Sequence, residues 1–151
     1  RLRSDGYPNW TNLYLKDHHP EVDVRFKDTY RDIAFKYQEW VGEYGDYFTA
    51  NVEYCTFEGS NIKKYVGETD DQYKRHADVS SLDVSDRFLA FLFYLNDDFE
   101  GGETIFYPEC VIRPKKGSVL IFPPYWMFPH EGTPVIKGKK YIMSTYCCWR
   151  K

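Results

Sequence analysis

Gln72-Tyr73-Lys74-Arg75-His76-Ala77-Asp78 is the stretch from which the rest of the sequence is best read. His76 and Asp78 are two apart, so an extended backbone sends both side chains off one strand face. An imidazole beside a carboxylate is two-thirds of a metal site, although a surface ion pair explains the same triplet on its own. His130, the later histidine, is flanked by Pro129 and Gly132 in a run that reads as a strand end. Two histidines and one carboxylate form the facial ligand set of non-haem ferrous sites, which leaves the opposite coordination positions open. Lys140 stands ten residues beyond His130, at the start of the next strongly apolar strand.

Working outward, Phe26, Tyr30, Ile33, Tyr37 and Trp40 or Val41 recur at helical spacing among charged residues, and Gly42 and Gly45 are stop signals. This predicts an amphipathic helix covering one face of a sheet. Residues 1 to about 22 show neither period and read as loop. The adjacent His18 and His19 point to opposite faces of an extended chain and suit a surface loop better than a metal. Phe48 to Phe57 alternates and predicts a half-buried strand, followed by a second at Ile62 to Val66. Glu58 to Asp71 reads either as a flap or as an ordinary surface strand and loop. Tyr73 to Val79 is the metal-candidate strand, and Arg87 to Leu95, apolar on both faces, is a central one. Glu103 to Phe106, Val111 to Arg113, Ser118 to Phe122 and Lys140 to about Trp149 are further strands, punctuated by prolines and glycines in the manner of a jelly roll.

The 151 residues fit one domain, with about 1–45 as N-terminal helical support and about 46–151 as β core. Net charge is −3 and the cations are scattered, which argues against a nucleic-acid partner. The 14 tyrosines and 11 phenylalanines suit strands. Cys55, Cys110, Cys147 and Cys148 have no metal-type spacing, so a reducing, cytoplasmic setting is the expectation. No apolar run reaches bilayer length, and neither membrane association nor oligomerisation is expected. The sequence starts at Arg1 rather than methionine, which leaves a preceding leader open.

Tyr73-Lys-Arg-His76-Ala-Asp78, Glu100-Gly-Gly-Glu-Thr104, Pro114-Lys-Lys-Gly117-Ser-Val and His130-Glu-Gly-Thr-Pro-Val-Ile-Lys-Gly-Lys-Lys140 occur in this order over about residues 62 to 149. Together they resemble the catalytic domain of prolyl 4-hydroxylases, 2-oxoglutarate- and Fe(II)-dependent dioxygenases of double-stranded β-helix fold. The resemblance implies that His76, Asp78 and His130 hold the iron and that Lys140 pairs with the distal carboxylate of 2-oxoglutarate. Lys139 is the near alternative. Thr104 and Tyr65 would assist with the same co-substrate, and Tyr73, Arg87 and Tyr146 would face substrate. Tyr146 departs from the tryptophan common in prolyl hydroxylases. Tyr73 and Tyr146 are also explained as core aromatics, and Arg87 as a strand-end ion pair with Asp83 or Asp86.

The implied reaction uses O2 and 2-oxoglutarate, releases succinate and CO2, and hydroxylates a proline in a peptide or protein, with ascorbate as the expected reductant. Trp126 is expected beside the substrate residues at the barrel mouth. A hydroxylase of the same superfamily acting on another residue or a small molecule would keep the same metal and co-substrate residues. A non-catalytic binding module on the same barrel is the remaining alternative.

Overall fold

The computed structural model describes residues 10–45, 52–69, 71–107 and 109–149. It is a mainly β jelly roll with one long N-terminal helix, the architecture expected from the sequence. A six-stranded antiparallel sheet has the order β1 (Thr11–Tyr14), β3 (Asn61–Val66), β12 (Lys139–Trp149), β5 (Arg87–Tyr94) and β9 (Val119–Phe122). β2 (Cys55–Phe57) pairs with the far end of β12, beyond the reach of β3. A four-stranded sheet runs β4 (Tyr73–His76), β10 (His130–Gly132), β7 (Thr104–Phe106) and β8 (Cys110–Ile112), and β6 (Glu100–Gly101) pairs with β11 (Val135–Lys137).

The main departure at the N-terminus concerns where the helix begins. Residues 1–9 lie outside the described set, but 11–14 form β1, Leu15–His18 the short helix α1, and Pro20–Gly42 the long helix α2. Proline at the first helical position has no N–H to lose, and Glu21 and Asp23 in the first turn complement the helix dipole. These cues outweigh the absence of apolar periodicity before Val22. The helix ends at Gly42, where the glycine signal put it.

Helix α2 is anchored through polar groups as well as apolar ones. Tyr30 is fully buried against Phe57 and Phe93, and its hydroxyl lies 2.6 Å from Ser60 Oγ. The Ser60 amide donates to the buried Asp23 carboxylate at 2.8 Å. Ala34 is buried in a second cluster with Phe88, Leu89, Phe91 and Cys147, where its small side chain lets the helix lie close to the sheet.

The expected strand from Phe48 to Phe57 is much shorter. Residues 48–51 lie outside the described set, Val52–Tyr54 is a 3-10 turn, and only Cys55–Phe57 pairs. Val52 is buried, and its amide donates to Gln38 Oε1 on α2 at 3.2 Å rather than to a strand. The flap reading of Glu58 to Asp71 is replaced by β3, an inner strand hydrogen-bonded on both sides. All four cysteines are free thiols; Cys55, Cys147 and Cys148 are buried, and Cys110 is exposed. No helix among the described residues is long and apolar enough to cross a membrane.

Tyr30→Phe removes one member of a buried hydroxyl pair and leaves Ser60 Oγ short of a partner. Urea unfolding should show a loss of about 1–2 kcal/mol with little change in slope.

Candidate active site

β4 ends on His76 and β10 begins on His130, and the two residues are directly paired across antiparallel strands. Their rings therefore leave the same face, with centroids 4.4 Å apart. Asp78 is brought to the same side as His76, as expected, but the strand stops at His76 rather than running to Val79, and the chain bends at Asp78. Asp78 Oδ1 lies 3.5 Å from His76 Nε2 and Oδ2 3.7 Å from His130 Nε2. One ligand atom from each of the three residues lies within 4.8 Å of the others. The Asp78 side chain is only 9% exposed, so a surface ion pair no longer accounts for the triplet.

The ring nitrogens facing away from the cluster fix the tautomers. His76 Nδ1 lies 2.7 Å from the Lys74 carbonyl oxygen and His130 Nδ1 3.1 Å from that of Phe128. A carbonyl only accepts, so each Nδ1 carries the hydrogen and each Nε2 lone pair points into the cluster. Burial lowers the His130 pKa, against the opposing pull of Asp78, and so keeps the imidazole neutral. For Asp78, burial works to raise the pKa, while the Tyr146 hydroxyl, which donates to Oδ1, works to lower it, as do the two histidines when they are protonated. The carboxyl is held below its ordinary range. Two imidazole Nε2 atoms and one carboxylate facing one another are a donor set that suits a divalent first-row metal.

A ladder of side chains leads away from this cluster along two neighbouring strands. β3 and β12 pair in the register Tyr65 with Lys140, Lys63 with Ile142, and Asn61 with Ser144. Alternation turns Lys140 inward to 3% exposure and leaves Lys139 exposed, which decides between the two lysines. Lys140 Nζ donates to the Gly102 carbonyl at 2.6 Å and lies 5.6 and 5.8 Å from the ring centroids of Tyr65 and Tyr94. Burial pushes the ammonium down to about 8, with Glu103 opposing. Thr104 Oγ1 accepts from the Tyr94 hydroxyl at 2.8 Å, which leaves its own hydrogen available to another acceptor. Lys140, Thr104, Tyr65 and the three cluster residues all line one cavity.

Tyr94 and Gly102 were not singled out in the sequence. Tyr94 closes an apolar strand and looks like plain core. Gly102 has φ +69°, and a Cβ there would come within 3.1 Å of Lys140 Cδ. The Gly-Gly turn thus lets a backbone carbonyl approach the ammonium, a role the dipeptide hints at.

Tyr73, Arg87 and Tyr146 line a second, more polar cavity that opens beside the first. Arg87 does not pair with Asp83 or Asp86. Its Nε and Nη2 donate to the two carboxylate oxygens of Glu58 at 2.6 and 2.8 Å, a fork that the sequence does not announce because Glu58 is 29 residues away. The guanidinium carbon lies 3.9 Å from the Tyr146 ring centroid, and the Tyr146 hydroxyl donates to Asp78 Oδ1 at 2.7 Å. Tyr73 stacks on Trp10 with centroids 4.7 Å apart and lies 4.0 Å from the His76 ring. These aromatics are therefore tied to the cluster and are not merely core. Trp126 is 78% exposed and lines neither cavity, contrary to expectation. His18 and His19, expected on the surface, are exposed.

Two outcomes test this geometry. Tyr146→Phe removes the hydrogen bond to Asp78 while keeping the ring under Arg87, and calorimetry with Mn(II) should show metal affinity falling about tenfold. Because the donor set is already deprotonated at neutrality, affinity should stay nearly flat there. It should then fall as pH drops below the ordinary imidazole value of 6.5, when His130 and then Asp78 take up protons.

The sequence pattern that defines the 2OG-Fe(II) oxygenase superfamily matches residues 60–148. Probable prolyl 4-hydroxylase 9 of Arabidopsis thaliana is 32% identical over 119 residues, which cover 59% of this chain and 40% of the relative. The chain thus spans well under half of that curated relative's length. The viral collagen prolyl hydroxylase vCPH from Paramecium Bursaria Chlorella virus-1, solved as its 2OG complex, superposes with a TM-score of 0.71 at 23% identity, covering 95% of this chain and 81% of that one. A prolyl hydroxylase from Trichoplax adhaerens, in complex with a hypoxia inducible factor oxygen degradation domain peptide fragment, superposes with a TM-score of 0.65 at 16% identity, covering 98% and 69%. At those identities the two structures establish the jelly-roll fold alone. The defining pattern, by contrast, runs through β3, the His-Asp-His cluster and Lys140 and spans more than half of the sequence: the chain belongs to the 2OG-Fe(II) oxygenase superfamily.

Proposed function

We propose that this domain hydroxylates a prolyl residue in a peptide or protein, with 2-oxoglutarate and O2 as co-substrates and succinate and CO2 as the other products. The observation that carries the reading is the arrangement of the two cavities. A buried ammonium and the metal-ligating cluster both line the inner one, and an outer cavity walled by Trp10, Tyr73 and Tyr146 adjoins it through Tyr73 and Tyr146, which touch His76 and Asp78. Proline packs well on aromatic faces. The names of the similar proteins, prolyl hydroxylases from a plant, a virus and an animal, support the same substrate class.

His76, Asp78 and His130 would hold Fe(II), and the bound iron and 2-oxoglutarate supply the oxidising chemistry that places one oxygen atom of O2 on the substrate carbon and the other in succinate. In this reading Lys140 receives the distal carboxylate of 2-oxoglutarate, and Thr104 and Tyr65 donate hydroxyl hydrogen bonds to it. A carboxylate entering so buried a site needs a paired cation, and the Gly102 carbonyl holds this one in place. Tyr146 fixes Asp78 by bonding one carboxylate oxygen, which leaves the other free for a metal. Arg87, steadied by Glu58, keeps the Tyr146 ring from turning away. Tyr73 covers His76 and, with Trp10, excludes water from that side. Ascorbate would be the reductant for such a site.

Mass spectrometry of proline-containing peptides incubated with the protein, Fe(II), ascorbate and 2-oxoglutarate should show a gain of one oxygen on proline, absent with His76→Ala. The same gain in both samples would remove His76 from the reaction, and no gain across a broad panel would end the prolyl reading. Binding of 2-oxoglutarate in the presence of Mn(II) needs the Lys140 ammonium. With the metal site saturated, affinity should therefore be constant from neutrality up to about pH 8 and decline above it, as the depressed lysine loses its proton. Lys140→Met should abolish that dependence and weaken binding about tenfold or more.

A further inference from the structure

Strand β3 turns Asn61, Lys63 and Tyr65 toward the barrel interior, and the first two have no part in the site described so far. Lys63 occupies the middle rung, opposite Ile142 of β12 on one side and Asn12 of β1 on the other. It lines both cavities and so stands at the passage between them. Its ammonium lies 5.1 Å from the Tyr73 ring centroid, and among the described residues no carboxylate makes an ion pair with it. Lys140 differs, being held by the Gly102 carbonyl. Asn61 Oδ1, two residues earlier on the same face of β3, is buried and accepts no hydrogen bond among the described residues.

Lys63 is half-buried, and holding an ammonium partly out of water with only a ring for company is costly, as is burying an amide oxygen with no donor. Burial lowers the Lys63 pKa while the field of Asp78 supports its charge. The charges of the chamber point the same way. Arg87 and Glu58 cancel each other. With a divalent cation and a dicarboxylate in place, Lys63, Lys140 and Asp78 still leave one positive charge in excess.

We propose that Lys63 is a second carboxylate-receiving cation of this cavity, set beside a hydrogen-bond acceptor, Asn61 Oδ1. A carboxylate has two possible sources here: the end of 2-oxoglutarate next to its ketone, or an acidic side chain of the substrate. The acceptor favours the substrate, because an amide N–H can satisfy Asn61 and a ketodiacid has no such donor. The substrate arm rests on the prolyl-peptide reading above; the co-substrate arm does not.

Binding measured with Mn(II) in place of iron keeps turnover out of the experiment. The probes are 2-oxoglutarate, 2-oxopentanoate, which lacks the distal carboxylate, and two proline peptides that differ only in glutamate or glutamine next to the proline. Lys63→Met, Lys63→Arg and, as the reference for the distal carboxylate, Lys140→Met are compared with the unmodified protein; thermal melting checks folding, and Lys63→Gln stands in if Lys63→Met does not fold. If Lys63 meets the substrate, Lys63→Met leaves both oxoacids within about twofold and erases a roughly tenfold preference for the glutamate peptide, which Lys63→Arg restores. If it meets the co-substrate, Lys63→Met weakens both oxoacids about tenfold, whereas Lys140→Met weakens 2-oxoglutarate alone. Unchanged oxoacid affinities together with an unchanged or absent glutamate preference overturn the proposal. Should neither peptide bind the unmodified protein, the prolyl reading fails, and the oxoacid comparison decides Lys63 by itself.

Discussion

A carboxylate removed from water has to be matched by partners, and the organisation of this protein follows from how Asp78 is matched. Its two oxygens face two imidazoles from paired strands, and a phenol from a third strand bonds to one of them. Each partner is itself fixed: the imidazoles by backbone carbonyls, the phenol by the guanidinium stacked on its ring, the guanidinium by the Glu58 fork. Low dielectric makes such a network costly when incomplete and rigid when complete. The cluster is therefore preformed in geometry and in protonation.

β12 carries much of the rest. It is the longest strand, it pairs with β3 and β2 along one edge and β5 along the other, and its inward residues run from Lys140 through Ile142 and Ser144 to Tyr146. One face of one strand thus connects the inner cavity to the outer one. A slip of one residue in its register would exchange Lys140 for the exposed Lys139 and turn Tyr146 away from Asp78. The burial of α2 over the same sheet, through Tyr30 and its Ser60 and Asp23 partners, resists that slip.

Much of this was legible in the sequence because local chemistry and tertiary demand agree there. The apolar run at 87–94 has to be a central strand, and the turn-rich segments between 96 and 134 have to be short strands and loops. The three cluster residues and Lys140 stand out in the sequence through the family resemblance, and the structure brings them to one cavity. His76 and Asp78 do face one another, but the strand expected to reach Val79 ends at His76. Glu58, Lys63, Asn61 and Gly102 were missed because their significance lies in what another strand brings opposite them. Arg87 was identified, but its partner was not, for the same reason: Glu58 approaches only once β2, β3 and β5 are assembled. The helix start was missed because proline and two acids signalled it where hydrophobic period did not.

Cys147 and Cys148 directly follow Tyr146 on β12. Peroxide attacks thiolates far faster than thiols. Burial raises the pKa of Cys147 strongly, and raises that of Cys148 to about 12, so both sulfurs remain protonated. The packing that positions the strand thereby also keeps its two sulfurs in the poorly nucleophilic thiol form, whereas Cys110 faces solvent.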